Sequence, residues 1–167
     1  MNNVAQNLQL VQNRIETARK KFGREQEPIT LVAASKKQSV AKIQEAIDAG
    51  LWTFGENYVQ EGIAKIQTLS SVPLEWHFIG TIQSNKCAPI AEHFAWVHSL
   101  SSAVIAERLN NAREISAPPL NVCIQVNFEK GSNKAGIAPH EVFKLAELIV
   151  TLPKLRLRGL MTLPEPS

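Results

Sequence analysis

A lysine at the end of an apolar strand is the residue in this sequence with the sharpest chemical prospects. Along ITLVAASK, Thr30, Val32, Ala34 and Lys36 alternate onto one face, and Ile29, Leu31 and Ala33 onto the other. The bulkier set suits packing against helices and the smaller set suits a barrel interior. Lys36 then points inward at the rim, and Lys37 points away. An amine among apolar walls has its charged form disfavoured by desolvation, which frees it to condense with a carbonyl as a Schiff base. The plainer alternative is a solvated lysine at a strand end.

Functional groups in parallel α/β folds collect at the C-terminal ends of the strands. Those ends are Lys36, the pair Glu56 and Asn57, the loop 80–86, Ser99, the loop 127–136 and the residues after Met161. In WHFIGTIQSNK, His77 lies within a strand, where a core histidine satisfied by a neighbour is the common outcome. Gly80 permits a tight turn. Gln83, Asn85 and Lys86 suit helix capping or an anion, with a solvated Lys86 as the alternative. The loop EKGSNKAGI offers backbone N–H groups and Lys134 to an anion, and a flexible surface loop fits it equally. It is not a P-loop, because Ile137 follows Gly136. Metal-ligand spacings and a nucleophile elbow are absent. Glu56, Glu61 and Glu75 show no arrangement that picks out an acid/base pair.

The elements that must position these groups alternate. Val4, Leu8, Val11, Ile15, Ala18 and Phe22 mark one helical face. Predicted strands at 29–35, 53–56, 75–80, 96–100, 120–128 and 155–163 are separated by predicted helices. Ser39 is the expected N-cap of the second helix and Gly50 its stop. Such alternation implies a parallel sheet, either open and doubly wound or a barrel lacking its last quarter. No G-x-G-x-x-G follows the first strand, which argues against a dinucleotide-binding sheet.

The 167 residues fit one domain, 1–167, with an ordinary 44% hydrophobic share. Eighteen basic and 15 acidic residues leave +3, with no basic run and only 6% aromatics, so nucleic-acid binding has only the net charge in its favour. Cys87 and Cys123 suggest no disulfide framework, and neither a secretory leader nor a membrane span is visible. A cytoplasmic protein is expected.

Three segments carry a resemblance: VAASK at 32–36, FGENYVQE at 54–61 and WHFIGTIQSNK at 76–86. VNFEKGSNKAGI and LRGLMTLP extend it. The sequence resembles the pyridoxal phosphate homeostasis protein family. The resemblance implies an α/β fold, a (β/α)8 barrel like the alanine racemase N-terminal domain, without a second domain. It further implies pyridoxal 5′-phosphate held as a Schiff base on Lys36, with Asn57, His77 and Lys134 as further cofactor-binding positions. Family members look like non-catalytic carriers or regulators of vitamin B6 pools, with PLP-dependent apo-enzymes as partners and a monomeric state. Two departures matter. Gln38 stands where a second lysine is often found, and family members continue past LMTLP into strands that grip the phosphate. Six strands predict an unclosed barrel, a truncated product or fragment, with a weakened phosphate grip. The competing readings are a racemase-class enzyme, which needs acid/base groups on both faces of the cofactor, and a remnant without cofactor binding.

Overall fold

In a computed structural model, residues 3–128 and 135–163 are described. The opening apolar stripe forms α1 (Val4–Lys21). The Asn3 side chain accepts the Gln6 N–H at 2.9 Å, and the Gln6 side chain accepts the Asn3 N–H in return. Helix α2 (Val40–Asp48) starts where expected, with Ser39 accepting from the Lys42 N–H. Gly50, at φ 89°, lets the chain reverse after it.

Strands and helices then alternate: β1 (Ala33–Ala34), β2 (Thr53–Glu56), α3 (Val59–Thr68), β3 (Glu75–Phe78), α4 (Cys87–His93), β4 (Trp96–Leu100), α5 (Ala103–Ala112), β5 (Leu120–Gln125), α6 (Val142–Val150) and β6 (Leu155–Met161). β2 and β4 have the expected bounds. β1, β3, β5 and β6 are shorter than expected: β3, β5 and β6 lose residues at their C-terminal ends, where the chain turns into rim loops, and β1 loses 29–32 at its N-terminal end as well as Ser35. Short 3-10 turns at Ser84–Lys86 and Pro139–Glu141 precede α4 and α6.

All the pairings are parallel, and the sheet order is β1-β2-β3-β4-β5-β6. A doubly wound sheet reverses its strand order at a switch point. No reversal occurs here, so the six strands form an incomplete barrel. Among the described residues β1 pairs only with β2, and β6 only with β5.

Alternation sorts the side chains onto two faces. Phe54, Phe78, Val97, Val122 and Ile124 are buried with Ile43, Ile90, Leu109 and Ile149 of the helices. Phe78 meets Phe94 edge-on, with centroids 5.4 Å apart. Truncating such a buried phenylalanine costs about 3–5 kcal/mol. The other face is closely packed near β1. A Cβ on Gly55 would lie 2.9 Å from Ile79 Cδ1 and 3.2 Å from Val32 Cγ1.

Candidate functional site

Strand β1 delivers Lys36 to the C-terminal rim. The Ser35 N–H still donates to Gly55 O, after which residues 35–38 form a turn closed by the Gln38 N–H on Ser35 O at 3.0 Å. Lys36 is exposed and, among the described residues, has no hydrogen-bond or ion-pair partner. The apolar enclosure expected around it is therefore corrected: among the described residues β1 has a strand neighbour on one side only. Lys37 is also exposed and sits at φ 60°, a conformation that costs a non-glycine residue about 1–2 kcal/mol.

Beneath this turn lies a charged network that the sequence reading missed. Lys65 Nζ donates to Ser35 O at 2.7 Å, Glu56 Oε1 at 2.7 Å and Glu61 Oε1 at 2.6 Å. Ser35 Oγ donates to Glu56 Oε1, and the Lys37 N–H to Glu61 Oε1, each at 2.6 Å. The Lys65 side chain is 7% exposed and that of Glu56 0%. The hydrogen bond from Lys65 holds the Glu61 carboxyl below the usual carboxylate range, against the opposing effect of burial. Glu61 and Lys65 stand four apart on α3, a spacing that could have flagged them.

A cleft of about 630 Å³ opens at the same rim, lined by Asn57, Ile79, Gly80, Thr81, Gln125 and Asn127 among others. Lys36 is not part of that lining. Asn57 Oδ1 is buried without a partner. Gly80 crosses Asn57 so closely that a Cβ there would meet Asn57 O at 2.1 Å. Ser99 Oγ donates to Gly80 O, and Gln125 Nε2 to Ala135 O, so both ends of the cleft floor are tied. A smaller cleft shares Asn57, Gly80 and Thr81 and reaches Gln83 and Lys86.

His77 does not reach the cleft. It is buried inside the strand layer, stacked on Trp96 at 5.3 Å, with Arg158 above the indole at 5.6 Å. Its Nε2 lies 3.0 Å from Glu75 Oε1 and its Nδ1 2.7 Å from His98 Nε2. With Glu75 ionised, His77 donates from Nε2, and its Nδ1 accepts from His98. Burial first, then the neighbouring His77, pushes His98 from 6.5 down to about 4. Burial also lowers His77, against the pull of Glu75.

The unfolded chain therefore protonates His98 below pH 6.5, whereas the folded chain holds it neutral until about pH 4. Stability falls as pH drops across that window and levels off on either side. A urea midpoint that declines across it, with a shallower decline in His98→Gln, is the expected result. An unchanged slope in the variant would remove His98 as the cause.

The structure thus places Lys36 and Asn57 on the same rim and His77 below it, within the strand layer. Lys134 lies outside the described residues. Cys87 and Cys123 are free and buried, and no helix among the described residues is long and apolar enough to cross a membrane.

The profile described as "Alanine racemase, N-terminal domain" matches residues 6–165. A pyridoxal phosphate homeostasis protein from Pseudomonas aeruginosa is 50% identical over 167 residues, covering 100% of this chain and 73% of the relative. The chain belongs to the pyridoxal phosphate homeostasis protein family. Among solved structures, PipY of Synechococcus elongatus with PLP bound is 37% identical, with a TM-score of 0.72 over 88% of this chain and 69% of PipY. Alanine racemase of Clostridium difficile 630 is 17% identical, with a TM-score of 0.70 over 96% of this chain and 40% of the racemase. At that identity the likeness is one of fold. For a homeostasis-family chain, the sequential parallel strands and the rim position of Lys36 are the features that bear on function.

Proposed function

We propose that this chain holds pyridoxal 5′-phosphate through a covalent Schiff-base link to Lys36, and that it acts as a carrier of the cofactor rather than as a catalyst. The observation that carries this reading is the exposed, unpaired Lys36 amine, set on a hydrogen-bonded turn at the strand rim. The buried, unpartnered Asn57 Oδ1 beside the cleft fits a ligand that brings a hydrogen-bond donor. PipY was solved with PLP bound, and the P. aeruginosa relative is named for homeostasis of this cofactor; both support the reading.

The cofactor supplies an electrophilic aldehyde carbon. Lys36 would hold the cofactor by condensation of its amine with that carbon, with loss of water. Asn57 offers its free acceptor to orient the bound group, and Gly80, by having no side chain, lets the Asn57 backbone pass close beside it at the cleft. An exposed link is open to attack by a second amine, which suits hand-over to the lysine of a PLP-dependent apo-enzyme. Two free, buried thiols fit a cytoplasmic, reducing setting.

Borohydride reduction after addition of pyridoxal phosphate, followed by peptide mapping, tests the reading. A pyridoxyl group concentrated on Lys36 and lost in Lys36→Ala is expected. Weak labelling spread evenly over many lysines would overturn it.

A further inference from the structure

We infer that Glu61, with Lys65 behind it, is a positioning residue that clamps the Lys36 turn and so selects Lys36 over Lys37 as the amine presented to the aldehyde. The inference rests on the reading of Lys36 as the attachment point. Two exposed lysines stand side by side, so the reactivity of an amine alone does not choose between them. The backbone around them does.

One carboxylate oxygen and one ammonium grip the peptides on both sides of Lys36. Glu61 Oε1 accepts the Lys37 N–H at 2.6 Å and the Lys65 ammonium at 2.6 Å. The same ammonium donates to Ser35 O at 2.7 Å, the carbonyl that also closes the turn through Gln38. Lys37 is thereby kept at φ 60°, where an L-residue stays only when its surroundings hold it. Without the Glu61 acceptor, Lys37 relaxes towards negative φ. The turn then re-aims both side chains. Neither Glu61 nor Lys65 lines the cleft, so the pair acts through the backbone of the turn.

Two variants separate the hydrogen bond from bulk and charge. Glu61→Gln keeps a carbonyl oxygen able to accept from both Lys37 and Lys65, while its new amide group occupies the partly exposed side of the residue. Glu61→Leu removes the acceptor. In the cofactor-free full chain, hydrogen exchange at the Lys37 amide should quicken about tenfold in Glu61→Leu and remain near the parent rate in Glu61→Gln. With pyridoxal phosphate and borohydride, the ratio of Lys36 to Lys37 adducts should fall in Glu61→Leu and hold in Glu61→Gln. Unchanged exchange in Glu61→Leu, or equal loss in both variants, overturns the clamp. If the parent carries no preferential Lys36 adduct, the reading of Lys36 as attachment point falls, and with it the selection of Lys36. The exchange rates then decide the clamp alone.

Discussion

Gly80→Ala is expected to destabilise the chain by about 3 kcal/mol, at the upper end for overpacking, and to abolish cofactor binding in the same step. A Cβ there would lie 2.1 Å from Asn57 O and 2.7 Å from Asn57 Cα. All of these contacts are backbone, so no side chain can swing aside. Either the loop lifts, breaking the Ser99 hydrogen bond to Gly80 O, or Asn57 is displaced from the cleft. Stability and binding are thus coupled at one position. Urea unfolding together with a pyridoxal phosphate titration reads both. A variant within about 0.5 kcal/mol of the parent would mean that the crossing has slack and that Gly80 does not shape the cleft.

Lys65→Met is expected to cost about 3–5 kcal/mol, the range for removing one partner of a buried ion pair. Glu56 is fully buried, its Oε1 takes both Lys65 and Ser35, and its Oε2 has no partner. Methionine fills the space of the lysine stem but leaves that carboxylate without a cation. Adding Glu56→Gln to Lys65→Met should restore a large part of the loss, because the uncompensated charge is gone. A denaturation double-mutant cycle measures this. Strictly additive costs would show that the pair is not coupled and that packing alone explains the loss.

The parts of the fold that depend on local pattern were legible in the sequence. The apolar stripe of α1, the Ser39 cap and the bounds of β2 and β4 follow from periodicity and capping chemistry. The ends of β3 and β5 were not, because the Gly80 crossing and the rim loops decide where pairing stops. Alternation along β1 put Lys36 at the rim. Its exposure depends on how many strands flank β1, which no local pattern records. The Lys65 network needs Ser35 from one strand end and Glu56 from the next, brought together by the register Ala34↔Gly55. The His77 and His98 pair likewise depends on the register His77↔Trp96. In both cases long-range register creates the chemistry, and composition is silent about it.

The strict β1-to-β6 order has a consequence for how the chain is made. Each strand pairs with the one synthesised just before it, so every new segment leaving the ribosome meets a partner already present. Successive strands are joined through an α-helix, preceded by a short 3-10 turn before β4 and β6, so each pairing closes a loop of moderate length and modest entropic cost. Assembly can then follow translation from the N-terminus, one βα unit at a time. Slowing translation early in the message would give β1 and β2 time to pair. A pause between β5 and β6 would instead leave β5 as the outer strand of the nascent sheet until its partner is made.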